Sequence, residues 1–403
     1  MTTSVDSHAD RWFAVGSSRE TDHRRAGAEA ARAAQEAGPA TLLVVFCPSL
    51  YESDRVLEGV CSVTSDDVLI VGGTAMGEIA PAIPGALETG DPRAVVVAAL
   101  GGPGFSVHDT VVRDASRDRR AVGATAAAAT EGLTDSHQAL LMLADGLTRE
   151  QHELVRGAYS VLGAEVPIVG GCTADEVKYT LTHQFHGSGA GVERLSDSVV
   201  AVGLGSNAPI GVGVCHGWEK QGEPMVVTSS TGGEVFLLDD EPALDVYLDR
   251  IGATRSLLDD KDKFSAVTIQ NPLGLSRRNG QDLRVVHSGD PDRGSLLCLA
   301  DVPQGALVWN MSANATDLVD AASRSCRMAV DGLGGVPPRG LLVFDCGARK
   351  LKFDPDELRA EQEAIAQVAD GAPFAGFYTY GEIARTRGSR GMHHLTVVTL
   401  ALA

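Results

Sequence analysis

Val71-Gly72-Gly73-Thr74-Ala75-Met76-Gly77-Glu78, Val169-Gly170-Gly171-Cys172-Thr173-Ala174-Asp175-Glu176 and Gly376-Phe377-Tyr378-Thr379-Tyr380-Gly381-Glu382 are three versions of one stretch, and their recurrence decides the fold. Each follows an apolar, strand-like run and, counted from Gly72, Gly170 or Gly376, closes on Glu six residues later, with at least one Thr between. Strands that end in small residues, hydroxyls and a carboxylate suit a binding mouth. Gly lets backbone approach a ligand, and the polar tips orient it.

Working outward, the same order of elements surrounds each stretch. In the first copy it runs strand (12–16), Ala-rich helix (22–37), strand (41–46), helix (53–62), strand (68–72) and returning strand (93–100). It repeats from Phe105, with helices over 116–132 and 148–162, and again from Ala306, with helices over 316–330 and 355–369. The closing glutamates are 98 residues apart in the first interval and 206 in the second. That near-doubling predicts a fourth, degenerate unit from about Ile210, with strands at 225–228, 264–269 and 283–286 and a helix at 242–251. Two domains follow, 11–222 with two repeat units and 223–403 with one degenerate and one clear unit. Because the last strand of each unit returns through a turn-rich stretch, such as Pro81 to Pro92 or Thr180 to Ser196, the expected class is α/β (α+β). Its sheets are mixed or antiparallel and flanked by helices. Gly187 to Gly191 reads as a loop over the strand ends.

At 403 residues the chain can hold two sizeable cores, and 44% apolar with 22% charged residues is the balance of a globular protein. A net charge of -19 disfavours nucleic acid and anionic membrane surfaces as partners. No apolar run has membrane-spanning length, and Met1 to Asp10 carries no apolar signal core, so the expected location is cytoplasmic. Seven scattered cysteines without a C-x-x-C pair disfavour a disulfide framework or a structural zinc site. No P-loop, H-E-x-x-H or G-x-S-x-G motif occurs.

The residues that carry chemistry lie at the strand ends. Glu78, Glu176 and Glu382 can contact ligand, cap turns or act as acid and base; Thr74, Thr173 and Thr379 can contact ligand or pack. Cys172 and Cys346 end strands. Arg349 either anchors a carboxylate or phosphate, or pairs with Asp345, Glu361 or Glu363. Tyr378 and Tyr380, two apart on a strand, share a face and form one wall of a pocket or of the core. His183, His186 and His216 are the candidate haem ligands; no cofactor is otherwise expected.

These motifs resemble one family. The stretches ending at Glu78 and at Glu176, the latter followed by Thr182-His183-Gln184-Phe185, look like the two signatures of the FIST N domain. Pro272-Leu273-Gly274, Phe344-Asp345-Cys346-Gly347-Ala348-Arg349, the stretch ending at Glu382, and His393-His394-Leu395-Thr396 resemble the FIST C domain. The resemblance implies a sensory module for small ligands, with amino acids as the proposed class; some bacterial members bind haem and sense nitric oxide. No kinase, cyclase or F-box segment is apparent, so a stand-alone signal-transduction protein is expected. It would bind a small, amino acid-like metabolite and signal to a separate protein through a shift of domain arrangement. Thr74, Glu78, Thr173 and Glu176 would form one polar cluster. Cys346, Arg349, Tyr378, Tyr380 and Glu382 would form the other. A haem-based nitric oxide sensor and an enzyme using the carboxylates or a thiol are the alternatives.

Overall fold

The computed structural model describes residues 11–81, 94–148, 150–277, 280–385 and 391–403. Its contacts divide the chain into two compact units. The first comprises the chain up to His216, Val319–Met392 and Thr396–Ala403; the second comprises Gly217–Leu318 and His393–Leu395.

The first unit contains the three repeats, each built around its own sheet. In the first, the buried strand Ala40–Pro48 pairs parallel with Leu69–Ala75 and antiparallel with Val95–Gly101, which in turn pairs with Trp12–Ser18. The second repeats this with His137–Ala144, Ile168–Cys172, Ser198–Ser206 and Phe105–Arg113. The third uses Gly340–Cys346, Phe374–Thr379, Val397–Leu402 and Ile210–Cys215. One parallel pair among antiparallel ones is the signature of a strand–helix–strand step followed by a return. The helices pack closely where their sequences supply Gly. A Cβ on Gly27 would lie 2.1 Å from the Val56 carbonyl, and one on Gly123 would lie 1.9 Å from that of Leu154, the same contact in two repeats.

Each repeat also lends a short arm to the sheet of another. The hairpin Gln184–Ser188 and Gly191–Leu195, from the second repeat, pairs with Leu69–Ala75 of the first. Glu382–Arg385, from the third, pairs with Ile168–Cys172 of the second, and Glu78–Ile79, from the first, pairs with Phe374–Thr379 of the third. The exchange covers the strand edge that each parallel pair leaves open. Between the sheets lies one shared core containing Val71, Leu143, Val169, Leu342 and a cluster of aromatics. Phe377 stacks on Phe46 with centroids 4.6 Å apart and meets Phe344 edge-on at 5.8 Å.

Four sequence expectations need correction here. The strand at Ile210 belongs to the third repeat, since it pairs with Val397–Leu402 as Trp12–Ser18 pairs with Val95–Gly101. The next helix of that repeat, Ala315–Asp331, comes only after the second unit. The intervening residues are therefore an insertion rather than a fourth copy, and a single cut at 222/223 does not follow the packing. This second unit is built of antiparallel pairs, among them Glu219–Thr231 with Leu307–Ser312 and Leu273–Arg277 with Gly280–Arg284. Residues 264–269, expected as a strand, are helical within Lys261–Ile269, where the Asp260 side chain caps the N-terminus. Helices Ala243–Arg250 and Lys261–Ile269 bury Leu244, Tyr247, Leu248 and Phe264 against Leu238, Leu275 and Val308. The stretch 187–191, expected as a loop, forms the turn and flanking ends of the exchanged hairpin. Most of 81–92 lies outside the described residues.

Candidate functional site

The three signature stretches meet in a ring of backbone hydrogen bonds. Ala174 N–H donates to the Thr74 carbonyl at 2.9 Å, Tyr380 N–H to that of Cys172 at 3.1 Å, and Met76 N–H to that of Tyr378 at 3.0 Å. A return set runs from Thr74 to His183, Cys172 to Gly381 and Tyr378 to Gly77, at 2.8–2.9 Å. Each repeat is thereby tied to both others at the point where its strand ends. Side chains at this junction fill matched gaps: a Cβ on Gly73 would meet Thr173 Cγ2 at 2.3 Å, and one on Gly171 would meet that of Thr379 at 2.7 Å.

The hydroxyls here are occupied by the protein. Thr74 Oγ1 accepts from His183 N–H at 3.0 Å. Thr173 Oγ1 has the Ala144 carbonyl at 3.2 Å and Thr182 Oγ1 at 3.0 Å as acceptors for its single O–H, and accepts from Gln184 Nε2 at 2.7 Å. Cys172 is fully buried, and burial, with Glu382 and Asp145 nearby, pushes its thiol well up.

Glu382 is buried beside Cys346. Its carboxylate accepts from Thr379 Oγ1 at 2.7 Å, from Thr396 Oγ1 at 2.8 Å and N–H at 3.1 Å, and from the Cys346 thiol. Burial outweighs these donors and pushes its acid up to about 7. Arg349, expected to anchor a ligand, lies inside the protein. Nε donates to Asp345 at 2.7 Å, Nη2 to Glu361 at 2.7 Å and Nη1 to the His216 carbonyl at 3.1 Å. The ion-pair reading of this arginine is the one seen, and Glu363 takes no part among these contacts. Tyr378 closes the same cluster, its hydroxyl donating to Glu361 at 2.8 Å. Burial, followed by the pull of Arg349 in the opposite sense and the push of Glu361, leaves the Asp345 acid well above the usual range.

Tyr378 and Tyr380 do not form one wall. Tyr378 is the buried penultimate residue of its strand, whereas Tyr380 lies beyond the strand end and turns outward. The Tyr380 hydroxyl donates to Asp175 at 2.6 Å and accepts from Val177 N–H at 2.7 Å; its ring stacks on Tyr179 with centroids 4.9 Å apart. Asp175 also accepts from the N–H groups of Tyr179, Thr180 and Leu181 at 2.7–3.0 Å. Although burial opposes it, the Tyr380 and backbone donors hold this carboxyl below its ordinary range. Within the loop, Glu176, Val177 and Tyr179 all have φ between 52° and 68°. Left-handed backbone at three non-glycine residues in four is strain of the kind found at ligand clamps.

The remaining two glutamates share a lysine that the motifs did not reveal. Glu176 accepts from Ser49 N–H at 2.5 Å and pairs with Lys178 at 3.3 Å. Glu78 is buried, and its Oε1 has no hydrogen-bond partner. Burial raises its acid well above the usual range against the pull of Lys350, and Glu176 adds to the rise. Lys350 Nζ donates to the Met76 carbonyl at 2.5 Å and lies 5.3 Å from the Tyr378 ring centroid. The only hint in the sequence is that Lys350 follows Arg349. The distant contacts come from the arm of the first repeat. Asp175, similarly missed, reads in sequence as a neighbour of the closing Glu.

Two of the candidate haem ligands have partners within the protein. His183 Nδ1 lies 3.3 Å from the Leu195 carbonyl, and His186 Nε2 lies 2.7 Å from Asp109 Oδ2. Among the described residues no cluster of His, Cys, Asp and Glu has the arrangement of a metal site, and no helix is long and apolar enough to cross a membrane.

The chain matches the family model described as FIST N domain over residues 41–241 and the one described as FIST C domain over 243–385. It is also similar to uncharacterized proteins of Mycobacterium tuberculosis, from strains CDC 1551 / Oshkosh and ATCC 25618 / H37Rv. Each is 26% identical over 398 residues, covering 95% of this chain and 97% of the relative.

Proposed function

Because the chain belongs to the family of proteins that join a FIST N domain to a FIST C domain, we propose that it is a sensory protein that binds a small metabolite at the junction of its three repeats. FIST domains are generally associated with sensory signal transduction. The observation that carries the reading is the strained loop 175–181, clamped by Tyr380 and presenting its apolar side chains outward. Val177 is 37%, Tyr179 58% and Leu181 50% exposed, and Leu50, beside the Ser49 that bonds Glu176, adds 45%. An exposed apolar rim around half-buried charged groups has the composition of a ligand mouth. The stacked tyrosines would cover the body of the ligand, and the carboxylates and lysine beneath would orient it. The change in loop order on binding would be passed to a separate protein in the cytoplasm.

Native against denaturing mass spectrometry of freshly purified protein tests this reading. Added mass that is lost on denaturation and is absent from Tyr380→Ala protein is the expected result, and its value separates a metabolite from haem. If the added mass persists undiminished in Tyr380→Ala and Tyr179→Ala proteins, the ligand sits elsewhere.

A further inference from the structure

The second repeat departs from the other two just past its closing glutamate. Glu78 and Glu382 are the first residues of the exchanged arms Glu78–Ile79 and Glu382–Arg385. After Glu176, by contrast, the arm begins only at Gln184. The architecture closes twice without an intervening loop, so the exchange of arms does not require one. The loop is also costly, because Val177 and Tyr179 hold left-handed backbone and Val177, Tyr179 and Leu181 stand exposed. What it presents is an aromatic ring. Tyr179 stacks on Tyr380 with centroids 4.9 Å apart and planes 21° from parallel. Tyr380 is itself held by Asp175 at 2.6 Å and Val177 N–H at 2.7 Å, and Tyr179 N–H donates to Asp175 at 2.8 Å. Tyr179 is nonetheless exposed, so the ring face turned away from Tyr380 is open.

We propose that the open face of Tyr179 is a stacking platform for a planar aromatic ring that carries no negative charge. This rests on the ligand-binding reading above and names the class of ligand. A flat ring extends a stack that the protein already holds in place, so little further ordering is needed on binding. A saturated ligand of the same size would cover the same area without the ring–ring attraction. Charge sets the second condition. Among the described residues Asp175 is bonded by neutral donors alone: the hydroxyls of Tyr380 and Thr180 and the N–H groups of Tyr179, Thr180 and Leu181. Glu176 is matched by Lys178 at 3.3 Å. One uncompensated negative charge therefore lies beside the platform. It repels an anionic ring, whereas a cationic ring is drawn both to it and to the tyrosine face. The net charge of -19 disfavours a nucleic acid as the source of the ring.

The test is methyl NMR on the full chain, following Val177, Leu181 and Leu50, with benzamide, cyclohexanecarboxamide, benzoate and 1-methylnicotinamide as probes. Benzamide and 1-methylnicotinamide should move the Val177 and Leu181 methyls, with 1-methylnicotinamide the tighter of the two. Cyclohexanecarboxamide should bind about two- to tenfold more weakly than benzamide, which is the worth of a ring–ring contact beyond its area. Benzoate should also bind more weakly than benzamide. Tyr179→Phe keeps the ring and should preserve the benzamide preference, whereas Tyr179→Leu keeps only apolar bulk and should abolish it. The proposal is overturned if no probe moves these methyls at about ten millimolar. It is overturned equally if cyclohexanecarboxamide or benzoate binds as well as benzamide, or if folded Tyr179→Leu keeps the parent's preference. The panel on unmodified protein decides the class even where a variant fails to fold. A co-purifying ligand that is lost in Tyr380→Ala but contains no aromatic ring would remove the platform and leave the junction site standing. One retained in both Tyr380→Ala and Tyr179→Ala would remove both.

Discussion

The Tyr380 hydroxyl stands 2.6 Å from Asp175 Oδ1, across 205 residues of sequence, and the phenol oxygen itself receives the Val177 N–H. One phenol from the third repeat thus holds Asp175 and Val177, two residues at the start of a strained loop that belongs to the second. The strain at Glu176, Val177 and Tyr179 has to be offset by such outside contacts.

Tyr380→Phe removes both bonds and keeps the ring stack. The loop should lose about 1–3 kcal/mol of local stability, while global unfolding shifts less. Hydrogen exchange is the measurement: the amides of Tyr179, Thr180 and Leu181, now protected by Asp175, should exchange roughly ten- to a hundredfold faster. Unchanged exchange would mean that Asp175 alone fixes the loop.

Arg349→Met should destabilise the first unit by about 3–5 kcal/mol, because Asp345 and Glu361 would face each other in a dry interior without their cation. Adding Asp345→Asn to that variant should recover part of the loss. Urea unfolding at the parent's midpoint would contradict the burial of this arginine.

Glu382 gives a pH dependence with a definite sign. Its folded acid is raised from 4.5 to about 7, so its contribution to stability is fully present below about pH 4.5 and is lost as pH rises through about 7. The size is at most about 3 kcal/mol. Over this window the parent should therefore lose stability relative to Glu382→Gln, whose side chain does not titrate. Parallel stability curves for the two proteins would show that Glu382 ionises normally.

Gly170→Ala should be poorly tolerated. Its Cβ would lie 2.0 Å from the Met142 carbonyl at φ +147°, where the second repeat's parallel strands touch. Gly163→Ala, at φ +66° with open space around it, should cost only about 1 kcal/mol. Thermal melts that rank the two equally would mean that the strand contact relaxes freely.

Repetition was legible because backbone demands are local. Gly72, Gly170 and Gly376 each sit where a Cβ would collide with the neighbouring strand's carbonyl, at 1.9, 2.0 and 1.8 Å, so each repeat had to retain the same small residue. Apolar runs and capped helices likewise announce themselves within a few residues, as Asp354 and Glu357 do with a capping box. From these alone the chain shows its repeats, its mixed sheets and its family. Which residues become neighbours at the strand ends was decided by the exchange of arms between repeats. That exchange pairs edges hundreds of residues apart and leaves no local mark. It put Lys350 against the first repeat and closed Arg349 inside the third. The length between Glu176 and Glu382 was also ambiguous in sequence, because an inserted unit and a worn copy add similar numbers of residues. Only the pairing of Ile210–Cys215 with Val397–Leu402 separates them, since a strand's partner is fixed by the sheet it completes rather than by its place in the chain.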